Sequence, residues 1–243
     1  MKLTFLGTRG YIEPTSPRHR RHTSTMISHR GVKVMIDCGE DWLGRLSDLE
    51  PDAIVITHAH PDHALGLKHG SPCAVFAAAA AWEKINNFPI REEFRKLLKP
   101  RKVEQIGGIM FEPFPVIHSL LAPTVGYRIS AGRSAIFYVP DVFRIVHLAE
   151  AFSGIRLYVG DGATIARSLV RREKWTGRLM GHASIETQLG WCRKQGVKKM
   201  VVTHCGSAIV RAGEDAVKTK IKELARKYGV KIDVAQDGME LLV

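Results

Sequence analysis

The sequence predicts a single α/β domain, with sheets in the middle and helices outside. Three observations lead there. Short apolar, β-branched runs recur along the whole chain and mix with a few helical patterns. No internal repeat, low-complexity tract or linker interrupts residues 1–243. At 243 residues, 45% hydrophobic and 25% charged, the chain can bury one sizeable core and has an ordinary globular balance.

The elements follow in order. MKLTFLG reads as a strand leading into a turn, and GVKVMIDCG as a second strand bounded by glycines. DAIVITH is short, β-branched and continuously apolar, the pattern of a strand buried on both faces. AVFAAAAAWEKI passes from strand into helix. KVEQIGGIMFEPFPVIHS reads as strands punctuated by Gly-Gly and by prolines. TVGYRIS and SAIFYVPD flank AGR as a hairpin, and IRLYVGDG and KKMVVTH are two more buried strands. Between those two lies the helix ASIETQLGWCRKQG, with Ser184 placed to cap it and Gly196 to end it. GEDAVKTKIKELARKYG is the clearest helix: acidic first turn, a stripe of Ala216, Val217, Ile221 and Leu224, and Gly229 as its stop. KIDVAQDGMELLV closes with strands.

A formal net charge of +12 favours an anionic partner such as nucleic acid, a nucleotide or a phosphate ester, and serves solubility equally well. No stretch approaches the roughly 20 apolar residues of a membrane span, and the N-terminus carries no signal-peptide pattern. Cys38, Cys73, Cys192 and Cys205 are scattered, with no CxxC pair, so a cytoplasmic protein with free thiols is expected.

The chemistry concentrates at strand ends. His58, His60, Asp62 and His63 follow AIVIT, His118 follows FPVI, Asp141 follows AIFYVP and His204 follows KMVVT. Strand ends along one sheet edge are where α/β proteins gather ligands. One such histidine alone would read as a structural residue; several at once read as a site. Imidazole and carboxylate suit zinc, manganese or iron, with no cysteine needed.

HAHPDH matches the HxHxDH signature of the metallo-β-lactamase superfamily, and His118, Asp141 and His204 fall in the order of that family's later motifs. The openings LTFLGTRG, PTSPRHRRHTS and IDCGE resemble ribonuclease Z and its small phosphodiesterase relatives. The resemblance covers nearly the whole chain. It implies one domain over 1–243, an αββα sandwich of two mixed sheets with helices on the outer faces. It also implies two divalent metal ions, zinc first and manganese or iron as alternatives. His58, His60 and His118 would hold one ion, Asp62, His63 and His204 the other, and Asp141 would bridge them.

The same resemblance gives Asp62 and His182 catalytic roles around a metal-bridging hydroxide, His182 assisting the leaving oxygen. His182 is one histidine more than the ligand set requires. The segment 166–178, ARSLVRREKWTGR, reads as a basic loop before it, and Arg171, Arg172, Lys174 and Trp175 are candidate substrate contacts. PRHRRH, residues 17–22, invites the same reading more weakly. Only 22 residues separate His118 from Asp141, too few for the tRNA-binding arm of ribonuclease Z. The expected activity is therefore a phosphodiesterase acting on a cyclic or nucleotide phosphodiester or a short single-stranded nucleic acid. Lactone or thioester hydrolysis, an RNA-processing nuclease without that arm, and a non-catalytic nucleic-acid binder are the alternatives. A homodimer is left open, and no membrane association is expected.

Overall fold

The computed structural model describes residues Met1–Val243. The first half supplies β1 (Lys2–Gly7), β2 (Ser24–His29), β3 (Val32–Ile36), β4 (Ala53–Ile56), α1 (Pro61–Ala64), β5 (Ala74–Ala78), α2 (Ala79–Lys84), β6 (Arg95–Leu98), β7 (Glu104–Ile106) and β8 (Ile109–Ile117). Then come β9 (Thr124–Ala131), β10 (Ser134–Tyr138), β11 (Arg144–Ile145), α3 (Leu148–Phe152), β12 (Leu157–Asp161), β13 (Leu169–Arg172) and β14 (Leu179–His182). The chain closes with α4 (Ile185–Gln195), β15 (Lys199–Thr203), α5 (Ser207–Val210), α6 (Glu214–Tyr228), β16 (Lys231–Val234) and β17 (Glu240–Leu242).

One sheet runs β17-β1-β2-β3-β4-β5-β6 and the other β11-β8-β9-β10-β12-β15-β16, with β7 also on β8. Both are mixed: β3 to β6 are parallel, as are β10, β12, β15 and β16. Strand alternation explains the layers. Val55 points between the sheets with Phe5, Ile36, Tyr127, Tyr138, Val159 and Val201. Its neighbours Ile54 and Ile56 point outward and pack with Trp42 and Ala81. Tyr158, Met200 and Val202 face outward on the other sheet, against Ile185 and Leu189 of α4 and Val217, Ile221 and Leu224 of α6. A strand buried on both faces has no polar position to alternate with, which is why these strands read as unbroken apolar runs. Burying each large side chain contributes about 1.5–3 kcal/mol. The result is the αββα sandwich, with helices outside.

The helix ends lie where the caps place them. Ser184 Oγ accepts from Thr187 N at 3.1 Å, and Gly196 and Gly229 close α4 and α6 in the left-handed region. One expectation for α6 is corrected. Val217, Ile221 and Leu224 are buried, but Ala216 is exposed. The buried stripe runs i, i+4, i+7 from Val217, and Ala216 stands about 100° away from it.

The prolines do not punctuate strands as expected; Pro113 and Pro115 lie inside β8. β7 pairs with β8 only as far as Phe111, and β11 joins only at Val116. Between them β8 is an edge, and the missing N–H groups fall on its open side. β2 was not anticipated. It pairs with β3 through a two-residue turn, Arg30-Gly31, in which both residues have positive φ, as hairpin twist requires.

No helix is long and apolar enough to cross a membrane. All four cysteines are unpaired.

Gly39 follows β3 and admits no side chain, because a Cβ there would overlap the backbone carbonyl of Asp62. Gly39→Ala should cost about 1–3 kcal/mol as an overpacking substitution. Thermal denaturation should show this as a Tm lower by roughly 2–10 °C.

Candidate metal centre

Both sheets deliver side chains to one edge. Asp37 follows β3, and Thr57, His58 and His60 follow β4. Pro61 opens α1 with its φ already set for a helix, and that single turn carries Asp62 and His63. His118 follows β8, Asp141 follows β10, Asp161 ends β12, His182 ends β14 and His204 follows β15. Asp37 and His204 both hold positive φ, 59° and 52°, although neither is glycine. Such backbone strain persists only where the surroundings impose it, and it gathers at functional sites.

The ligand atoms fall into overlapping sets, the atoms of each within 4.8 Å of one another. One set is His58, His60, His118 and Asp141; a second is Asp62, His63, Asp141 and His204. Asp141 is common to both. A third set, Asp141, Asp161, His182 and His204, adjoins them. Asp141 Oδ2 lies 3.3 Å from His58 Nε2 and 2.8 Å from His63 Nε2, and Asp141 Oδ1 lies 2.9 Å from His204 Nδ1. Asp62 Oδ2 is 3.2 Å from both His63 Nε2 and His204 Nε2.

These distances are short enough for hydrogen bonds, yet His63 Nε2, His204 Nδ1 and Asp141 Oδ1 complete none and are shielded from solvent. Buried polar atoms without partners are rare and call for an explanation. Atoms that converge on a common point instead of on each other are arranged as ligands are: donors about 2.0–2.2 Å from one ion stand roughly 3.3 Å apart. The donor set also suits a divalent cation.

The halves differ in charge. Burial, then the neighbouring His63, holds His58 well below the usual imidazole range, and burial also lowers His60 and His118. These three imidazoles are neutral, the form that binds metal. Burial works against charging His63 too, but Asp62, Asp37 and Asp141 outweigh it and raise it well above that range. His204, with Asp141 and Asp62 outweighing its burial, is raised to about 10. The second half is thus carboxylate-rich and attracts positive charge.

Two aspartates missed in the sequence hold the others in place. Asp37 is fully buried and accepts from Thr57 N, Thr57 Oγ1 and His63 Nδ1, at 2.7, 2.7 and 2.8 Å. That fixes the His63 ring and leaves Nε2 toward the cluster. Asp161 accepts from Val142 N and Ala163 N and pairs with His182 Nδ1 at 2.7 Å. Gln188 of α4 bonds the Asp161 main chain through both its amide atoms. Both aspartates end apolar strands, VMID and YVGD, the same pattern that marked Asp141 and His204.

The segment 166–178 is not a plain loop. β13 and β14 make it a hairpin rooted at the centre, where Gly181 N donates to His118 O and His118 Nδ1 bonds Gly181 O. Arg171, Arg172 and Lys174 are on it, and Trp175 is at its tip, 93% exposed. The basic run 17–22 is used within the fold. Asp237 accepts from Arg20 N and Arg21 N, Arg18 pairs with Glu214, and His19 and His22 are buried against Thr8 and Asp41.

A two-sheet sandwich with a His/Asp cluster at one edge defines a class of metal-binding α/β proteins. The model of the β-lactamase superfamily domain matches residues 32–205, and the chain belongs to that family. Ribonuclease Z of Methanopyrus kandleri is 30% identical over 147 residues, 54% of this chain and 50% of the relative. The chain spans about half the length of the curated relatives it matches. The metallo-β-lactamase fold protein YhfI of Bacillus subtilis superposes with TM-score 0.75 at 16% identity, covering 99% of this chain and 98% of that one. A diphosphatase of the PhnP family superposes at 0.69 and 20% identity, covering 100% and 97%. These structures share the fold. Family and cluster together support divalent metal binding.

Asp37→Asn should weaken divalent-metal affinity by roughly 10–100-fold, as loss of a ligand's hydrogen-bond partner does. Competition with a chelator reads this directly, and circular dichroism checks that the fold is retained.

Proposed function

We propose that this protein is a metal-dependent phosphodiesterase. His58, His60 and His118 bind one divalent ion, Asp62, His63 and His204 bind a second, and Asp141 belongs to both. Zinc suits the imidazole-rich donors best, with manganese or iron compatible. When bound, such a pair supplies Lewis acidity to a phosphoryl group and to the water that attacks it.

His182 carries the reading. Its Nδ1 is 2.7 Å from Asp161 Oδ2 and 3.5 Å from Asp141 Oδ1. Burial works against charging the ring, but Asp161 and Asp141 outweigh it and raise the His182 pKa, which favours the ring protonated on both nitrogens. Nδ1–H is donated to Asp161, and Nε2–H is left for a substrate oxygen. The ring lies beside those of His118 and His204, with centroids at 4.7 and 5.6 Å, and so borders both half-sites. A phosphodiester releases an alkoxide that needs a proton, and an imidazole held at that place can give one from Nε2. Asp62 faces the cluster through Oδ2 and orients the attacking water. The curated relatives include proteins described as ribonuclease Z, and the structural neighbours include a PhnP-family diphosphatase and yeast PDE1 alongside an isothiocyanate hydrolase. The substrate would be a cyclic or nucleotide phosphodiester or a short single-stranded nucleic acid.

Bis-p-nitrophenyl phosphate should be turned over by the metal-loaded protein, with His63→Ala at background. His182→Ala should lower kcat by roughly 10²–10⁴-fold, the contribution of a positioned acid, with metal content unchanged. Turnover of lactones or thioesters but of no phosphodiester would refute the proposal.

A further inference from the structure

The basic hairpin does not offer its charges in one direction. In the β13–β14 register Leu169 pairs with His182, Val170 with Gly181, Arg171 with Met180 and Arg172 with Leu179. Residues directly opposite share a face of a ribbon, and the face alternates at each step. Arg171 and Met180 therefore stand on the face of Leu169 and His182. Arg172 stands on the other, with Val170 and Leu179. Met180 and His182 are partly covered on the first face, while Leu169 on that face, like Val170 and Leu179 on the other, is exposed.

The two guanidinium groups also differ in their bonding. Arg172 Nη1 donates to Gly177 O at 3.1 Å and so braces the hairpin's own turn. Arg171 has no hydrogen-bond or ion-pair partner within the protein. Arg178, opposite Glu173, is one step further from His182 along the Arg171 face and also has no side-chain partner, since Glu173 accepts instead from Trp175 N and Thr176 N. Of the two unpartnered arginines on the His182 face, Arg171 stands nearer to His182 along the ribbon. As the diagonal neighbour of His182 it stands about 7–8 Å away along the ribbon.

We infer that Arg171 binds a second phosphate of the substrate, next to the phosphodiester placed at His182. This rests on the phosphodiesterase reading and narrows it. The preferred substrate carries two neighbouring phosphates, as a nucleic-acid strand or a phosphorylated nucleotide does, and is not a lone cyclic diester. An arginine fork suits this role because it grips phosphate through paired N–H donors. Arg172 braces the turn and does not touch substrate.

The test is equilibrium binding to the metal-loaded protein, by calorimetry, of thymidine 3′,5′-bisphosphate and thymidine 5′-monophosphate. Neither contains a diester, so binding is read apart from cleavage. The bisphosphate should bind the wild type roughly tenfold more tightly. Arg171→Ala should remove that advantage and leave monophosphate affinity unchanged. Arg172→Ala should keep the advantage within about twofold. Arg171→Lys should restore it in part, since the charge returns without the fork. Equal binding of the two ligands by the wild type overturns the inference, as does an equal loss in Arg171→Ala and Arg172→Ala. Turnover of bis-p-nitrophenyl phosphate is measured alongside. Its absence counts against the phosphodiesterase reading, while its presence with equal binding of the two ligands counts against Arg171 alone.

Discussion

A buried carboxylate surrounded by imidazoles sets the terms for this structure. Asp141 is 1% exposed and accepts no backbone hydrogen bond. Nitrogens of His58, His63, His118, His182 and His204 all approach it within 4 Å. A charge in that position is costly unless positive charge is brought to it. Protons on His63 and His204 can supply some, as their raised pKa values record. Divalent cations would supply it better, since they satisfy the unpartnered atoms at the same time. Either way the cluster cannot be assembled piecemeal: removing one partner leaves the others buried and uncompensated.

That requirement explains what the fold does around it. The six residues that follow or end β3, β4, β8, β10, β12 and β15 come from two sheets, yet they must converge within a few ångströms. Regular strand geometry brings them to the right edge, and local departures do the rest. Asp37 and His204 turn through the left-handed region immediately after their strands. Gly39 lets the chain after β3 pass against the Asp62 backbone, and Gly10 packs against the His204 ring. Strain at such positions costs about 1–3 kcal/mol each, and the packed sandwich carries that cost.

Much of this was legible in the sequence because one signal repeats: an apolar strand that stops at a histidine or aspartate. It marks His58, His118, Asp141 and His204, and the structure brings them together with His60, Asp62, His63 and His182. Asp37 and Asp161 carry the same signal, yet the family resemblance gives them no part. Their work lies in hydrogen bonds to His63 and His182, which spacing along a chain does not display. Elements set by tertiary context were also hidden. The β2–β3 turn puts an arginine where Asn or Gly would have announced a hairpin. Pro113 and Pro115 looked like strand breakers because nothing local tells that β8 is an open edge between β7 and β11.

The hairpin shows most plainly why charge counting stops short of a site. Its composition made Arg171 and Arg172 equivalent. Register separates them, since a strand sends adjacent side chains to opposite faces. The root gives that separation its meaning. Gly181 sits at φ 128°, and a Cβ there would collide with Leu169 O, so the ribbon can close against His118 only with glycine at this point. The closure ties His182 to the cluster, and the register places Arg171 on its face and Arg172 on the opposite one. A chain of the same composition, shifted in register by one residue, would exchange Arg171 for Arg172 on the His182 face and alter what the centre can hold without touching any proposed ligand.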